Sequence, residues 1–492
     1  MIKALTGLSA ARALRYLTMP VTAKVNALFL GTAGVGVMSQ VNAVGTAAAV
    51  LSTNTVSDGA ARLLSRSLAG QSGVATIDPR RVLGTFTAYV LLVNAVFLGA
   101  VLVGARAIAG GLLGDRALAG ILVLFAFSLP LAAMDEVVNA TLRGASCFGA
   151  MSTSMAVGSV VALVVSVPLV VRFGLFGAVL ALALTRLLSL VIRVLLAWRA
   201  LSLRGIRPLC WPTIDRAVAR ELRGYIGTTM VMGLAAAGLS LATRLVMVGR
   251  VGINGVGVYA VVLVFAGLVP ELVGIPIATV LLPQLSVLQD GEARNALVNR
   301  VLRMACASAV LLVGAMLSLR HLGIRLVYTS DFDGAGIVMG PHLIGVAINA
   351  LAGTIGVLYY SLPRLRALVT VEISCQAVLL GLTWLLARPF GLWGISFAYL
   401  AMYGIGFTAN CAFLSRVAGL RIGATLLRVA LPAIAFLAVL SWLPMCGWVE
   451  PVLGLSSAAG LSWLWLPAAE RDAVLARPRR VLCALSGRRA GL

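Results

Sequence analysis

Charged and amide side chains recur at four-residue intervals within segments that are otherwise Ala, Val and Leu. Asn42, Thr46, Asn54, Asp58, Arg62 and Arg66 form one such stripe; Asp135, Asn139 and Arg143, with Glu136 beside them, form a second. That interval places side chains on one face of a helix. Arg12, Tyr16, Pro20 and Lys24 share a face in the same way, and Arg186 with Arg193 and Ser240 with Arg244 add two further groups. A charge at the centre of a membrane helix costs on the order of 2.5–3.5 kcal/mol, so such residues must face protein or water. Arginine offers phosphate oxygens bidentate, charge-assisted hydrogen bonds, and lysine a point charge. Arg15, Lys24, Asn54, Asp58, Arg62, Arg186 and Arg244 are therefore candidates for lining a hydrated cavity that takes an anionic, hydroxyl-rich ligand. The competing reading makes Arg66, Arg143 and Arg199 topology anchors near inner helix ends. It also lets Asp58 with Arg62, and Asp135 with Arg143, compensate one another within a single helix.

Asp58, Asp135, Glu136, Glu271 and Glu372 are acids within or near apolar segments that could exchange a proton or bind sodium. Glu271 sits between Pro270 and Pro276, where broken backbone hydrogen bonding leaves carbonyls for an ion; capping at that kink is the other reading. Tyr359 with Tyr360 and Tyr399 with Tyr403 could stack on sugar rings or form interfacial belts, and His342 reads as a loop-end residue.

The elements that must position these residues are membrane helices. Of the 492 residues 61% are hydrophobic and 11% charged, with a mean hydropathy of +1.03; soluble chains carry about 25% charged residues. At about 20 residues per span the length holds roughly 12–14 spans and leaves nothing for a large soluble catalytic domain. Lys3 and Lys24 are the two lysines, and neither follows a glycine loop, which excludes a Walker-type ATPase. The seven cysteines form no C-x-x-C pair and there are two histidines, so disulfide frameworks and zinc sites are not expected, nor any cofactor. Arg12 and Arg15 interrupt what would be the apolar core of a signal peptide, so the N-terminus is expected to be retained.

Apolar runs give about 14 spans, the first weak and the last short. With the N-terminus in the cytoplasm, roughly 20 arginines fall in inner connections against about 7 outside, which orients both termini inward. The formal charge of +23 is thereby assigned to membrane topology, and nucleic acid is not expected as a partner. The longest inner loop divides two copies of one pattern. Gly31-Thr-Ala-Gly-Val-Gly36-Val recurs as Gly252-Ile-Asn-Gly-Val-Gly257-Val, and Phe173-Gly-Leu-Phe-Gly177 as Phe390-Gly-Leu-Trp-Gly394, offset by 221 and 217 residues. A unit of six spans enters the membrane from the same side each time, which makes a parallel repeat. The expected organisation is a six-helix lobe over 1–200, a cytoplasmic linker over 201–223, a second six-helix lobe over 224–418, two additional spans over 419–470 and a basic tail over 471–492. With Pro432, Pro444, Pro451 and Pro467, the two additional spans read as poor long helices, dispensable for folding of the core.

Three stretches carry a family resemblance. Lys24-Val-Asn-Ala-Leu-Phe-Leu-Gly31-Thr-Ala-Gly-Val-Gly36, with Thr32 for the usual proline, resembles the helix 1 turn of the multidrug/oligosaccharidyl-lipid/polysaccharide exporter superfamily, in its polysaccharide (Wzx-like) branch. Asp58-Gly-Ala-Ala-Arg62 resembles that family's run ending helix 2, and Thr279-Val-Leu-Leu-Pro283-Gln284-Leu-Ser286 its helix 8 run, with Gln284 where a cation is common. The resemblance covers the first 12 spans. It implies an all-α membrane protein of two six-helix lobes around a central cavity, and export of a lipid-linked oligosaccharide across a bacterial inner membrane for O-antigen, capsule or exopolysaccharide synthesis. Glycosyltransferases and a polysaccharide polymerase are the partners it implies. The charged runs of peptidoglycan-precursor (MurJ-like) flippases are absent from helices 1 and 2, although fourteen spans suit that branch. A drug or metabolite antiporter of the same superfamily would favour acidic cavities, and a polymerase or ligase would need a large outer loop. The first two spans hold more arginine than acid, but the antiporter stays as an alternative beside the MurJ-like flippase; the longest outer segment, about 17 residues near 320–336, is too short for the enzyme, and the chain is read as a transporter.

Overall fold

The computed structural model describes residues 2–69, 78–202, 209–288, 290–361, 365–443 and 449–466. The described residues are helical, in the order α1 (Ile2–Ala49), a π-turn (Val50–Asn54), α2 (Thr55–Ala69), α3 (Pro79–Ile108), α4 (Ala119–Phe127), α5 (Leu129–Gly144), α6 (Phe148–Ser202) and α7 (Arg216–Val269). A second π-turn (Pro270–Gly274) leads to α8 (Ile275–Val287), α9 (Gly291–Ser318), α10 (Arg320–Val327), α11 (Asp333–Ser361), α12 (Leu365–Ala418), α13 (Leu431–Trp442) and α14 (Val449–Trp465). The starts follow ordinary capping chemistry. Asp78 accepts from the Arg80 N–H ahead of α3, which has proline in its first turn, and Asp290 accepts from Glu292 and Ala293 ahead of α9. Ahead of α7, the N–H groups of Val218 and Ala217, with Arg81 beside them, hold the Asp215 carboxyl below the usual carboxylate range.

Among the described residues, nine helical stretches are long and apolar enough to cross a membrane. Four of them hold two helices joined at one glycine: Gly31 (φ 63°, ψ −169°), Gly174 (55°, −132°), Gly252 (69°, 173°) and Gly391 (55°, −128°). A positive φ is open to glycine and strained for other residues. Each is the first glycine of a duplicated motif, and each copy repeats its partner's backbone conformation. In α6 and α12 the chain turns back on itself. Leu169 and Gly177, eight residues and about 12 Å apart in a straight helix, are in contact through the Leu169 carbonyl, and Leu386 meets Gly394 the same way. Farther from the turn, Gly158 adjoins Ser189 and Cys375 adjoins Gly406, pairs again related by the 217-residue offset. With four stretches doubled and the 17-residue α14 added, the described residues accommodate the fourteen passes read from the sequence.

The chain divides into two compact units, Met1–Ala260 with Leu326–Phe332, and Val261–Arg325 with Asp333–Leu492. In the first, Val41, Val44 and Ala48 of α1 pack with Leu122 and Phe125 of α4 and Val179 of α6. Val56 and Leu63 of α2, Phe86 of α3 and Val137 of α5 close around the start of α7 at Val218 and Leu222. The two glycine-rich turns of this unit also meet: Gly36 lies against the backbone at Ile253 and Gly257, Gly257 against the Thr32 carbonyl, and the Thr32 hydroxyl donates to Asn254 Oδ1 at 3.1 Å. The contact is reciprocal, because Thr32 and Ile253 hold equivalent places in the two copies.

In the second unit, α11 is the central helix, and α13 and α14 pack into the same core. Gly314 and Ser318 of α9 face Ala458 and Gly454 of α14, so that two small-x-x-x-small runs approach closely. Arg320 donates to the carbonyls of Ser441 (3.2 Å) and Leu443 (2.7 Å), and Ala458 and Leu437 are fully buried. The expectation of a dispensable appendage is therefore corrected. Proline falls in the first turn of α13, and Pro451 near the start of α14, where the missing N–H costs nothing; Pro444 and Pro467 lie outside the described residues.

Candidate functional site

The polar side chains of the first unit form a ladder between α5 and the second half of α6. Arg186 and Arg193 are seven residues apart on α6, and Ser128, which precedes α5, is seven residues before Asp135 of that helix, so both pairs meet in register. Arg186 Nη1 donates to Ser128 Oγ at 2.6 Å and Arg193 Nη1 to Asp135 Oδ2 at 2.7 Å. The Arg186 guanidinium lies 4.8 Å from the centroid of the Phe125 ring, and no described carboxylate pairs with it. Gly45 of α1 makes room for this stack, since a Cβ there would come within 2.8 Å of Phe125 and 3.4 Å of Arg186 Nη2. Asp135 uses one oxygen on Arg193; its Oδ1 is buried and accepts from no described group.

Arg143 gathers a second cluster, with Asp58 of α2 at 2.9 Å and Glu136 at 2.7 Å, and Asn139 donates to Glu136 at 3.0 Å. The two compensations expected within single helices are thus replaced by bonds between helices. Asp58 pairs with Arg143 and not with Arg62, and Asp135 with Arg193 and not with Arg143. Arg143 consequently ties α2 to α5 in addition to marking a helix end.

Two further cations gather on α1. Lys24 Nζ donates to the Tyr328 carbonyl, and Arg244 Nη1 to Gln40 Oε1 at 3.2 Å and Ser39 Oγ at 3.4 Å. At 1.5 Å per residue, Lys24 and Gln40 lie about 10–14 Å from the Gly31 turn on either side of it. Both cations are thus well inside the span. Arg15 and Arg62 are exposed, and no described side chain pairs with either. The Asn54 side chain lies outside the described residues; its backbone ends the first π-turn.

Of the remaining acids, Glu271 lies in the π-turn Pro270–Gly274, as the flanking prolines suggested, and Glu372 is an exposed residue of α12. Both belong to the second unit, whereas Arg15, Lys24, Asp58, Arg62, Asp135, Arg186 and Arg244 belong to the first. Sequence reasoning placed His342 at a loop end, yet it is 1% exposed inside α11 with its ring 4.3 Å from Tyr399. The reason is that α11 begins at Asp333, nine residues earlier. Tyr359 is fully buried with its hydroxyl donating to Asn410 Oδ1 at 2.9 Å, so it neither stacks on a ligand nor forms a belt; Tyr360 is exposed. Phe125, Ser128, Gln40 and Tyr328 were not singled out from the sequence. The seven-residue spacing shared by Ser128/Asp135 and Arg186/Arg193 is the signal that could have found the first pair.

The chain is similar in sequence and fold to known membrane proteins. The lipid III flippase of Escherichia coli (strain K12) is 23% identical over 334 residues, covering 68% of this chain and 79% of that protein. A structure of the lipid II flippase MurJ in an inward closed conformation superposes with a TM-score of 0.72 at 13% identity, over 96% of this chain and 100% of that one. An inward-facing multidrug resistance MATE family transporter of the MOP superfamily superposes with a TM-score of 0.66 at 14% identity, over 85% and 99%. At such identities these structures establish the fold, that of multi-pass membrane transporters. A family profile described as "Polysaccharide biosynthesis protein" matches residues 78–336, over half of the sequence, and the chain belongs to that family.

Proposed function

We propose that this protein flips a prenyl-pyrophosphate-linked oligosaccharide across the bacterial inner membrane for surface polysaccharide synthesis. The observation that carries the proposal is Arg186, a cation within a membrane helix of the first unit that bonds the Ser128 hydroxyl and stacks on Phe125 with no described carboxylate paired to it, in a unit that also holds Lys24 and Arg244 inside its spans. Arg186 thus brings a positive charge into the membrane that an anionic ligand can neutralise. A pyrophosphate supplies the opposing negative charge, and a guanidinium offers its oxygens charge-assisted hydrogen bonds. A cationic drug would be repelled. Arg15 and Arg62, both exposed, add positive charge to the same unit, and the prenyl chain stays in the bilayer, so that only the headgroup is dehydrated. Membership of a polysaccharide biosynthesis family and the similarity to a lipid III flippase support this substrate class.

The coupling ion is proposed to act at Asp135, whose second oxygen is buried without a described partner while the first holds Arg193. Neutralising that carboxylate would release Arg193 toward the substrate. The six-helix organisation of 1–200 and 224–418, joined by the 201–223 linker, and the inward placement of both termini belong to this proposal. So does work alongside glycosyltransferases and a polymerase. A peptidoglycan-precursor flippase is the second reading, favoured by the fourteen passes and the end-to-end superposition on MurJ. Deleting the gene separates them. Accumulation of a lipid-linked oligosaccharide, with loss of surface polysaccharide and normal cell-wall synthesis, is the expected outcome; arrest of cell-wall synthesis with accumulated lipid II would refute it.

A further inference from the structure

The second unit contains a cleft of about 370 Å³ between α8 and α9, a size within the range of small-molecule sites. Its floor is apolar, formed by Pro276, Ile277 and Val280 of α8 and Met304 of α9, while Gln284 and Arg300 border it. The sequence explains why the two helices part here. The π-turn Pro270–Gly274 and Pro276 begin α8, Pro283 interrupts its backbone ladder, and the Thr279 hydroxyl bonds back to the Ile275 carbonyl at 2.7 Å. Each of these devices bends a helix.

The cleft sits at a change in polarity along α9. Residues 292–303 include Glu292, Arg294, Asn295, Asn299, Arg300 and Arg303, whereas from Met304 to Ser318 no charged residue occurs. Arg300 therefore lies at the membrane–water boundary, with Met304 one turn deeper. Gln284, near the end of α8, is likewise the more polar end, and Ile277 and Pro276 are farther from the α8–α9 connection. Val280 keeps 59% of its surface exposed, leaving the apolar floor open to a chain from the bilayer.

We infer that this cleft binds one acyl chain of an anionic phospholipid, with the lipid phosphate at Arg300. Charge favours that occupant over a zwitterionic lipid, because basic residues beside interhelical clefts at the cytoplasmic face select anionic headgroups, and Gln284 brings no opposing charge. The site belongs to the second unit and does not depend on the identity of the transported glycan.

Native mass spectrometry of the purified full chain tests the assignment, with phosphatidylglycerol or phosphatidylcholine of matched acyl chains added. Wild type is expected to retain one phosphatidylglycerol in preference to phosphatidylcholine. R300Q should weaken phosphatidylglycerol binding about fivefold and abolish the preference, the effect of about one interfacial arginine. V280W, which fills the cleft, should weaken both lipids, and R303Q, outside it, should behave as wild type. Size-exclusion profiles matching wild type establish that the variants fold. Equal retention of the two lipids by wild type, or wild-type binding in both R300Q and V280W, would overturn the inference. Displacement of phosphatidylglycerol by equimolar undecaprenyl phosphate would also overturn it, by assigning the cleft to a prenyl tail.

Discussion

Replacing Gly174 or Gly391 with alanine separates two physical costs that the motif F-G-L-x-G combines. Both glycines adopt φ 55° with ψ near −130°, and a Cβ added at either would meet nothing within 4 Å. The penalty is therefore purely one of backbone conformation, about 1–3 kcal/mol. Three residues on, Gly177 and Gly394 have ordinary helical backbones, but their Cβ atoms would run into the carbonyls of Leu169 and Leu386. Their alanine variants lose through overpacking, again about 1–3 kcal/mol. Gly238 of α7 is the control, since its backbone is helical and its surroundings open; Gly238→Ala should gain about 0.5–1 kcal/mol. Equilibrium unfolding in mixed detergent micelles should thus separate Gly174→Ala and Gly391→Ala from Gly238→Ala by about 2–3 kcal/mol, with the two turn variants alike. If either turn variant unfolds with the control, or only one of the pair is destabilised, the turns are not equivalent and the duplication argument fails.

Arg193→Gln, which leaves Asp135 unpaired in a largely buried setting, should destabilise by about 3 kcal/mol, and adding Asp135→Asn should restore most of that in a double-mutant cycle. Gly454→Leu should cost about 3 kcal/mol by forcing α14 off Ser318, and truncation after Ile422 should abolish detergent-stable protein; a stable truncated protein would return α13 and α14 to the status of an appendage. Reporter fusions after Gln71, Arg207, Gly291 and Ala418 should read cytoplasmic, and after Gly34, Gly255 and Phe332 periplasmic. A periplasmic signal at Arg207 would defeat the six-span unit.

How far the sequence was legible depended on whether a residue's role was local. The first glycine of each duplicated motif was readable because a positive φ leaves few alternatives to glycine, so the backbone requirement is written in the residue type. Asp58 and Asp135 were legible as polar positions but not in their partners. A four-residue spacing suggests a neighbour on the same helix, whereas Arg143 and Arg193 reach them from other helices, a choice that only packing decides. The prolines of the last two spans misled for a related reason: proline breaks a helix interior but suits a first turn, and the start points were not evident. Gly454 and Ala458 carried the opposite signal, because a small residue every fourth position marks a helix that another approaches closely. His342 was misplaced because its surroundings in sequence, Gly340 and Pro341, resemble a turn while the helix around it is held by burial.

Transbilayer movement in proteoliposomes tests whether cations of the first unit receive a pyrophosphate-linked glycan. Wild-type protein should move a fluorescent prenyl-pyrophosphate oligosaccharide to the opposite leaflet. Lys24→Arg should retain most of that movement, since it keeps the charge, and Lys24→Glu, reconstituted at equal level and equal stability, should lose it. Equal movement by wild type, Lys24→Met and Lys24→Glu would contradict the account, as would transport of a cationic dye in place of the anionic lipid.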